Sequence, residues 1–325
     1  MIHYSPLAAF LLTFVSIAAI LSSSFGKKFQ DIPNQRSLHT APTPRIGGVG
    51  LMAGVLGSWM MLNSLLFWWL LLPLLGLIAV SLLDDIRNLP VRWRLLVQLV
   101  ASAVLIAGLG LFERESALLA LAVLLFTAWL TNLYNFMDGS NGLAGGMALF
   151  GFSSYGIAAL LANNEPFAMM NFAISAAALA FLYFNFPSAK IFMGDAGSIP
   201  LGFLVAAMGL WGWQQGCWPV WFPLLVFSPF IVDASVTLLK RALRGAKVTE
   251  AHREHYYQRA IQMGWGHRKL ALVEYALMAS VGASALLFKE QALPWGLLLI
   301  WAGVYGGVMA VLDRNWRRFN MREQK

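Results

Sequence analysis

Apolar residues run through this 325-residue chain in blocks close to 20 long, separated by short polar stretches. About 20 apolar residues in a helix cross a bilayer core of about 30 Å. Inside lipid every backbone N–H and C=O must be bonded internally, which a helix does within its own segment. Only 12% of the residues are charged, against about 25% in soluble domains. Mean hydropathy is +0.66. The chain therefore reads as one all-α, polytopic membrane domain over residues 1–325.

Eleven spans are expected, over roughly 6–25, 47–62, 65–83, 95–112, 117–136, 146–162, 167–186, 198–214, 219–239, 269–287 and 293–312. Only Asn63 and Ser64 divide the second from the third. The opening MIHYSP lacks a basic n-region and a small-residue cleavage site, so the first block is expected to stay as a helix.

The net charge of +8 needs no nucleic-acid partner. Membrane proteins gather Lys and Arg in cytoplasmic loops. With the tail of Arg314, Arg317, Arg318, Arg322 and Lys325 placed inside, eleven spans put the N-terminus outside. The inner segments then hold 21 of the 23 Lys and Arg residues, leaving only Arg114 and Lys289 outside. Arg241, Arg244 and Lys247 read as charges that set this topology. The single Cys217 excludes an intramolecular disulfide and any multi-cysteine metal site.

Five polar clusters fall at the inner ends of these spans. They are Asp31 to His39 continuing through Arg45 to Gly48, Asp84-Asp85 with Pro90, Asn132 to Gly145, Asn185 with Phe192 to Ser198, and His252 to Arg259 preceded by Asp233. Ionisable groups at membrane depth mark function by default. Asp84, Asp138, Asp195 and Asp233 each sit at or near a helix end. Four helices delivering carboxylates to one face suit a hard divalent cation such as magnesium, which takes oxygen ligands and shares substrate phosphates. Adjacent Asp84 and Asp85 diverge by about 100° on a helix, so they need not serve one ligand. Arg45, Arg87 and Arg259 are candidate phosphate ligands.

Plainer readings exist for single residues. Asp138-Gly139 is also a turn signal, and Asp31 and Asp233 are also plausible caps or solvated acids. His252 and His255 stand three apart, but no cysteine or HExxH accompanies them, which argues against zinc. A lipid-linked sugar transporter is the rival from another class. Such a protein should carry polar groups near the bilayer midplane, whereas these cluster at one surface. A receptor or scaffold would leave the five clusters unexplained.

In order, the clusters read PNxRSxHxxPTPRxGG, DDxxxLP, NxxNxxDGxxGLAGG, FMGDAGS and HxxHxxQR. Together they resemble the polyprenyl-phosphate N-acetylhexosamine-1-phosphate transferases, the family of phospho-MurNAc-pentapeptide translocase and of the enzymes that start O-antigen and teichoic acid synthesis. The resemblance extends from Asp31 to about His267. It implies transfer of a sugar-1-phosphate from a UDP-N-acetylamino sugar to undecaprenyl or another polyprenyl phosphate, releasing UMP, at the cytoplasmic face of a bacterial inner membrane. It also implies Mg2+, or Mn2+, with Asp195 as the main ligand and Asp84 and Asp138 as further candidates. Asp84 matches the acid that deprotonates the lipid phosphate, with Asp85 and Asp138 supporting metal, phosphate or nucleoside. Asn132, Asn135, Asn185 and Phe192 match the uridine pocket, and His252 and His255 match phosphate contacts. A homodimer is the candidate assembly. Two positions depart from the pattern. Asn141 replaces an acid of the DGxDG motif, and Asn88 stands where the translocase has lysine. The second departure points away from the peptidoglycan enzyme and toward the branch that begins surface polysaccharides.

Overall fold

The apolar blocks become helices because each block then satisfies its whole backbone within its own segment in lipid. The structure, a computed structural model, describes residues 2–24, 26, 29–33, 41–65, 67–87, 89–247, 250 and 252–323. Asn34, Arg36 and His39 of the first motif, and Asn88, lie outside the described residues.

In chain order the helices are α1 (Ser5–Ser22), α2 (Gly47–Trp59), α3 (Trp68–Arg87), α4 (Val91–Gly108), α5 (Ala117–Phe136), α6 (Leu143–Leu161) and α7 (Glu165–Asn185). They continue as α8 (Asp195–Gln214), α9 (Trp221–Val226), α10 (Ser228–Leu243), α11 (Tyr256–Gln262), α12 (His267–Phe288) and α13 (Trp295–Glu323). Among the described residues nine helices are long and apolar enough to cross a membrane: α1, α3 to α8, α12 and α13. The expected span at 47–62 is a shorter apolar helix. The one at 219–239 is divided at Phe227 into α9 and α10. Pro229, in the first turn of α10, has no N–H to continue the ladder, so the chain restarts there.

A two-stranded hairpin precedes α2. Strand β1 (Gln30–Asp31) pairs antiparallel with β2 (Thr43–Pro44), setting Asp31 opposite Thr43.

Helix α8 lies at the centre, packed on α3 and α5, and it is the most buried of the long helices. A second layer runs α6, α7, α1, α2, each against the next. The two layers meet where α2 touches α8 at backbone distance. A Cβ on Gly48 would lie 2.3 Å from the Gly197 Cα, so only glycine fits there. Large apolar side chains cover the outside, including Leu118 at 79% exposure and Leu299 at 69%. Such a surface suits lipid, not water.

The two ends of the chain lie at opposite ends of the bundle. His3 approaches Glu165 at the start of α7 at 3.3 Å. Near its C-terminus, α13 brings Asp313 to 3.0 Å from Arg259 of α11. The described residues of the five polar clusters sit at the Arg259 end.

Candidate active site

Two carboxylates close α3. The C-terminus of a helix carries partial negative charge, so Asp84 and Asp85 are unfavourably placed unless other groups compensate. Asp84 accepts from the Leu89 amide at 2.6 Å, which folds the chain back toward Pro90 and α4. That reversal carries Arg94, in the first turns of α4, over the end of α3. Its guanidinium spans two acids, with Nη1 2.8 Å from Asp84 Oδ2 and Nη2 3.2 Å from Asp195 Oδ2.

Asp85 does different work. Its Oδ2 accepts from the Ala196 amide at 3.1 Å and its Oδ1 from the Asp195 amide at 3.4 Å. Amides in a first helical turn have no partner within their helix. The carboxylate that ends α3 therefore caps α8. Arg45 binds the same residue, donating from Nη2 to the Asp85 carbonyl, with Nε 3.9 Å from Oδ1.

The loop before α8 is stitched to the start of α2. Gly47 donates to the Phe192 carbonyl at 2.9 Å and Gly48 to that of Met193 at 2.8 Å, while Phe192 donates to the Pro44 carbonyl at 2.7 Å. Gly194 adopts φ +72°, and a Cβ there would meet the Arg45 carbonyl oxygen at 2.0 Å. A side chain at 194 would push Arg45 and the acids apart.

The Asp138 loop follows α5. Burial raises the Asp138 carboxyl well above the usual carboxylate range, and Asp195 and Asp85 nearby add to this, against a hydrogen bond with the Gly194 backbone. Asn135 accepts from Ser198 Oγ at 3.2 Å, tying α5 to α8. Asn132 stands half-buried one turn earlier on α5. Asn185 bridges two loops, accepting from the Gly142 amide at 2.6 Å and donating to the Ile191 carbonyl at 2.8 Å. Asn141 donates to the Pro187 carbonyl at 3.3 Å.

The histidine segment docks on the same place. Tyr257 donates to the Phe136 carbonyl at 3.0 Å. The His255 ring stacks at 6.2 Å on Phe136 and lies 4.9 Å from that of His252. Asp233 organises the segment by accepting from the Tyr256 and Tyr257 amides at 2.9 and 3.0 Å. His255 is 3% exposed, with Nδ1 3.4 Å from Asp233 Oδ1 but outside hydrogen-bond geometry. Burial first, then His255 and Arg241, push the His252 imidazole down to about 4, leaving it neutral at physiological pH.

Several expectations need revision. Arg259, a candidate phosphate ligand, is 4% exposed and binds Asp313. Arg241, read as a topology charge, is buried and pairs with Glu254, which Arg244 also reaches at 2.6 Å. Arg87 is exposed at the end of α3, and Asp31 sits in the hairpin. Arg94, which sequence reasoning missed, is the cation nearest the acids among the described residues. The only hint is its place just past the Leu89-Pro90 turn, where a reversing helix would set it opposite Asp84.

Carboxylates from three chain segments thus converge beside Arg94 and Arg45 at one end of a multi-pass helical bundle. The fold and site define a membrane-embedded enzyme. The chain matches the profile of glycosyl transferase family 4 over residues 67–212, the stretch from α3 to α8. It is 28% identical over 289 residues to the probable undecaprenyl-phosphate N-acetylglucosaminyl 1-phosphate transferase of Bacillus subtilis (strain 168), covering 83% of this chain and 80% of that protein. It is 27% identical over 333 residues to undecaprenyl-phosphate alpha-N-acetylglucosaminyl 1-phosphate transferase of Yersinia pestis, covering 95% and 90%. Phospho-N-acetylmuramoyl-pentapeptide-transferase of Lactobacillus johnsonii is 29% identical over 264 residues, covering 71% and 80%.

Proposed function

We propose that the protein transfers an N-acetylamino-sugar-1-phosphate from a UDP-sugar to polyprenyl phosphate, as the first membrane step of O-antigen or related surface polysaccharide synthesis. A lipid-phosphate oxygen forms a bond to the sugar-bearing phosphorus. The bond from that phosphorus to the bridging oxygen breaks, and UMP leaves. The observation that carries this reading is the meeting of Asp84 and Asp195 on Arg94. Phosphoryl transfer asks for positioning and charge neutralisation more than for covalent help, and these groups offer both.

In this reading Asp84 takes the proton of the lipid phosphate. Arg94 and Arg45 neutralise phosphate oxygens, joined by neutral His252 as a hydrogen-bond donor. Asn132, Asn135 and Phe192 hold the nucleoside, and Asn185 holds the shape of their pocket. An apolar groove of about 370 Å3 supports the lipid half of the proposal. It runs between α5 and α8, lined by Phe126, Leu130, Val205 and Leu210, and these are the helices that carry Asn135 and Asp195. A polyprenyl tail would lie there in lipid with its phosphate at the acids.

Magnesium is the cofactor we assign. Among the described residues no three Asp, Glu, His or Cys side chains form a complete metal cage. Magnesium usually takes only one or two carboxylates and completes its shell with water and phosphates, so Asp195 with Asp84 or Asp138 fits it. When bound, the ion would supply charge neutralisation at the diphosphate. We further place the acidic end of the bundle at the cytoplasmic face of a bacterial inner membrane. Eleven crossings, an outer N-terminus and an inner C-terminus follow from the distribution of Lys and Arg.

The test is a transfer assay with purified protein, UDP-sugar labelled in the sugar, and undecaprenyl phosphate. Label should enter the organic phase with equimolar UMP, and Asp195→Asn should abolish both. Release of free sugar phosphate without lipid product would refute the proposal.

A further inference from the structure

Helix α13 is longer than a membrane requires. Its 29 residues reach about 43 Å at 1.5 Å per residue, against a hydrocarbon core of about 30 Å. The surplus carries residues 314–323 into and past the headgroup layer, on the same side as the acidic site. Four arginines lie there: Arg314, Arg317, Arg318 and Arg322.

These arginines differ from the basic residues beside them. Lys240 and Arg259 pair with Asp313, and Arg241 and Arg244 pair with Glu254. None of the four on α13 has an ion-pair partner among the described residues. Arg318 and Arg322, one turn apart, line a pocket of about 290 Å3 with Asn315 at its rim. Its other walls are Met263, Trp265, Leu312 and Phe319. Like charges one turn apart repel, and a shared anion removes that repulsion.

We propose that this pocket binds the phosphate of an anionic phospholipid, such as phosphatidylglycerol, from the leaflet on the side of the acidic site. Arginine forks match phosphate oxygens, and Asn315 adds a donor for the glycerol headgroup. A lipid, not free phosphate, fits the remaining features. The pocket lies at headgroup depth and four of its seven lining residues are apolar. Along α13 toward the membrane interior, Val311, Val308 and Val304 are 59%, 49% and 40% exposed, a surface for acyl chains. Basic pockets between membrane helices recognise anionic headgroups in this way.

The bound lipid also braces the site. Met263 follows α11 directly, and Asp313 and Trp316 of α13 hold Arg259 of α11 by an ion pair at 3.0 Å and a ring face at 5.7 Å. Helix α11 starts at the residue after His255. Anchoring α13 against α11 therefore steadies the histidine segment. This second step rests on the proposed transfer activity, whereas lipid binding does not.

The test compares wild type, Arg318→Gln/Arg322→Gln and Arg314→Gln/Arg317→Gln. The last pair loses the same charge at similar depth but lies outside the pocket. Phosphatidylglycerol retained through purification in mild detergent is counted by mass spectrometry. General attraction to an anionic surface, about fivefold per basic charge, is lost by both pairs, so the pocket variant, which also loses its charged hydrogen bonds to the phosphate, should retain at least about tenfold less lipid than the control pair. Equal loss in both pairs would leave only general surface attraction and overturn the site, as would full retention in the pocket variant. Displacement of the lipid by an equal concentration of inorganic phosphate would assign the pocket to a soluble anion and overturn the lipid. In vesicles, adding phosphatidylglycerol to phosphatidylcholine should raise transfer by wild type and not by the pocket variant, with equal rates in phosphatidylcholine alone. Normal lipid retention differences with no transfer by any form would count against the proposed activity and leave the lipid site standing.

Discussion

Asp84 and Asp195, on helices that are far apart in the chain, are held together by the two terminal nitrogens of a single guanidinium, that of Arg94. The acids and this arginine form one electrostatic unit, and removing any member exposes the others.

Arg94→Gln should lower transfer by about a hundredfold. The loss combines a phosphate-binding charge with two carboxylates left without their counter-ion, and charged hydrogen bonds contribute about 1.5–3 kcal/mol each. Arg94→Lys should recover only part, because an ammonium cannot bridge two acids as a planar fork does. Steady-state kinetics on both variants would check this, and wild-type turnover in Arg94→Gln would remove the residue from the mechanism.

Asp195→Asn and Asp84→Asn should each abolish transfer, and wild-type activity should require magnesium or manganese. Chelation followed by titration of each ion, with label transfer as readout, measures the requirement. Near-normal turnover of Asp195→Asn at low magnesium would mean that the metal is held elsewhere.

Asp85→Asn should act first on stability. The asparagine keeps one acceptor for the Ala196 amide but loses the charge that caps α8 and faces Arg45. A cap contributes about 1 kcal/mol, so the melting temperature in detergent should fall by a few degrees. An unchanged melting temperature would show that the cap is dispensable.

His252 gives a pH signature with a definite sign. Its folded value of about 4 lies below the ordinary 6.5, so the unfolded chain binds the proton more readily. The folded state is at full strength above about 6.5 and loses stability as pH falls toward 4. His252→Gln should flatten that part of the stability curve. Thermal melts across this range would show it, and parallel curves for wild type and variant would contradict it.

Asn141→Asp should shift donor preference. The amide donates to the Pro187 carbonyl, and a carboxylate there can only accept. Losing a hydrogen bond of this kind costs about 0.5–1.5 kcal/mol net, enough to move kcat/KM ratios between UDP-GlcNAc and 6-deoxy or 4-amino donors about two- to tenfold. The magnesium requirement should stay as it is. A donor panel with unchanged ratios would place selectivity elsewhere, with the segment around His252 the next place to look.

The sequence by itself determined the helices, the single crowded face and most of the acids brought to it. Those properties are local. A run of apolar residues must become a helix in lipid, and an acid at its end is visible without knowing its neighbours. Only the tertiary structure decided which groups meet. Asp84 and Asp85 look equivalent in the chain, yet one faces Arg94 and the other caps α8. That split depends on which way α8 points its first turn. Arg241 looks like a topology charge and Arg259 like a phosphate ligand, and packing against Glu254 and Asp313 buries them. Arg94 carries no motif of its own. Its role exists because the Leu89-Pro90 turn reverses the chain, and charge pairing across that reversal is a matter of distance in space, which spacing in sequence does not encode.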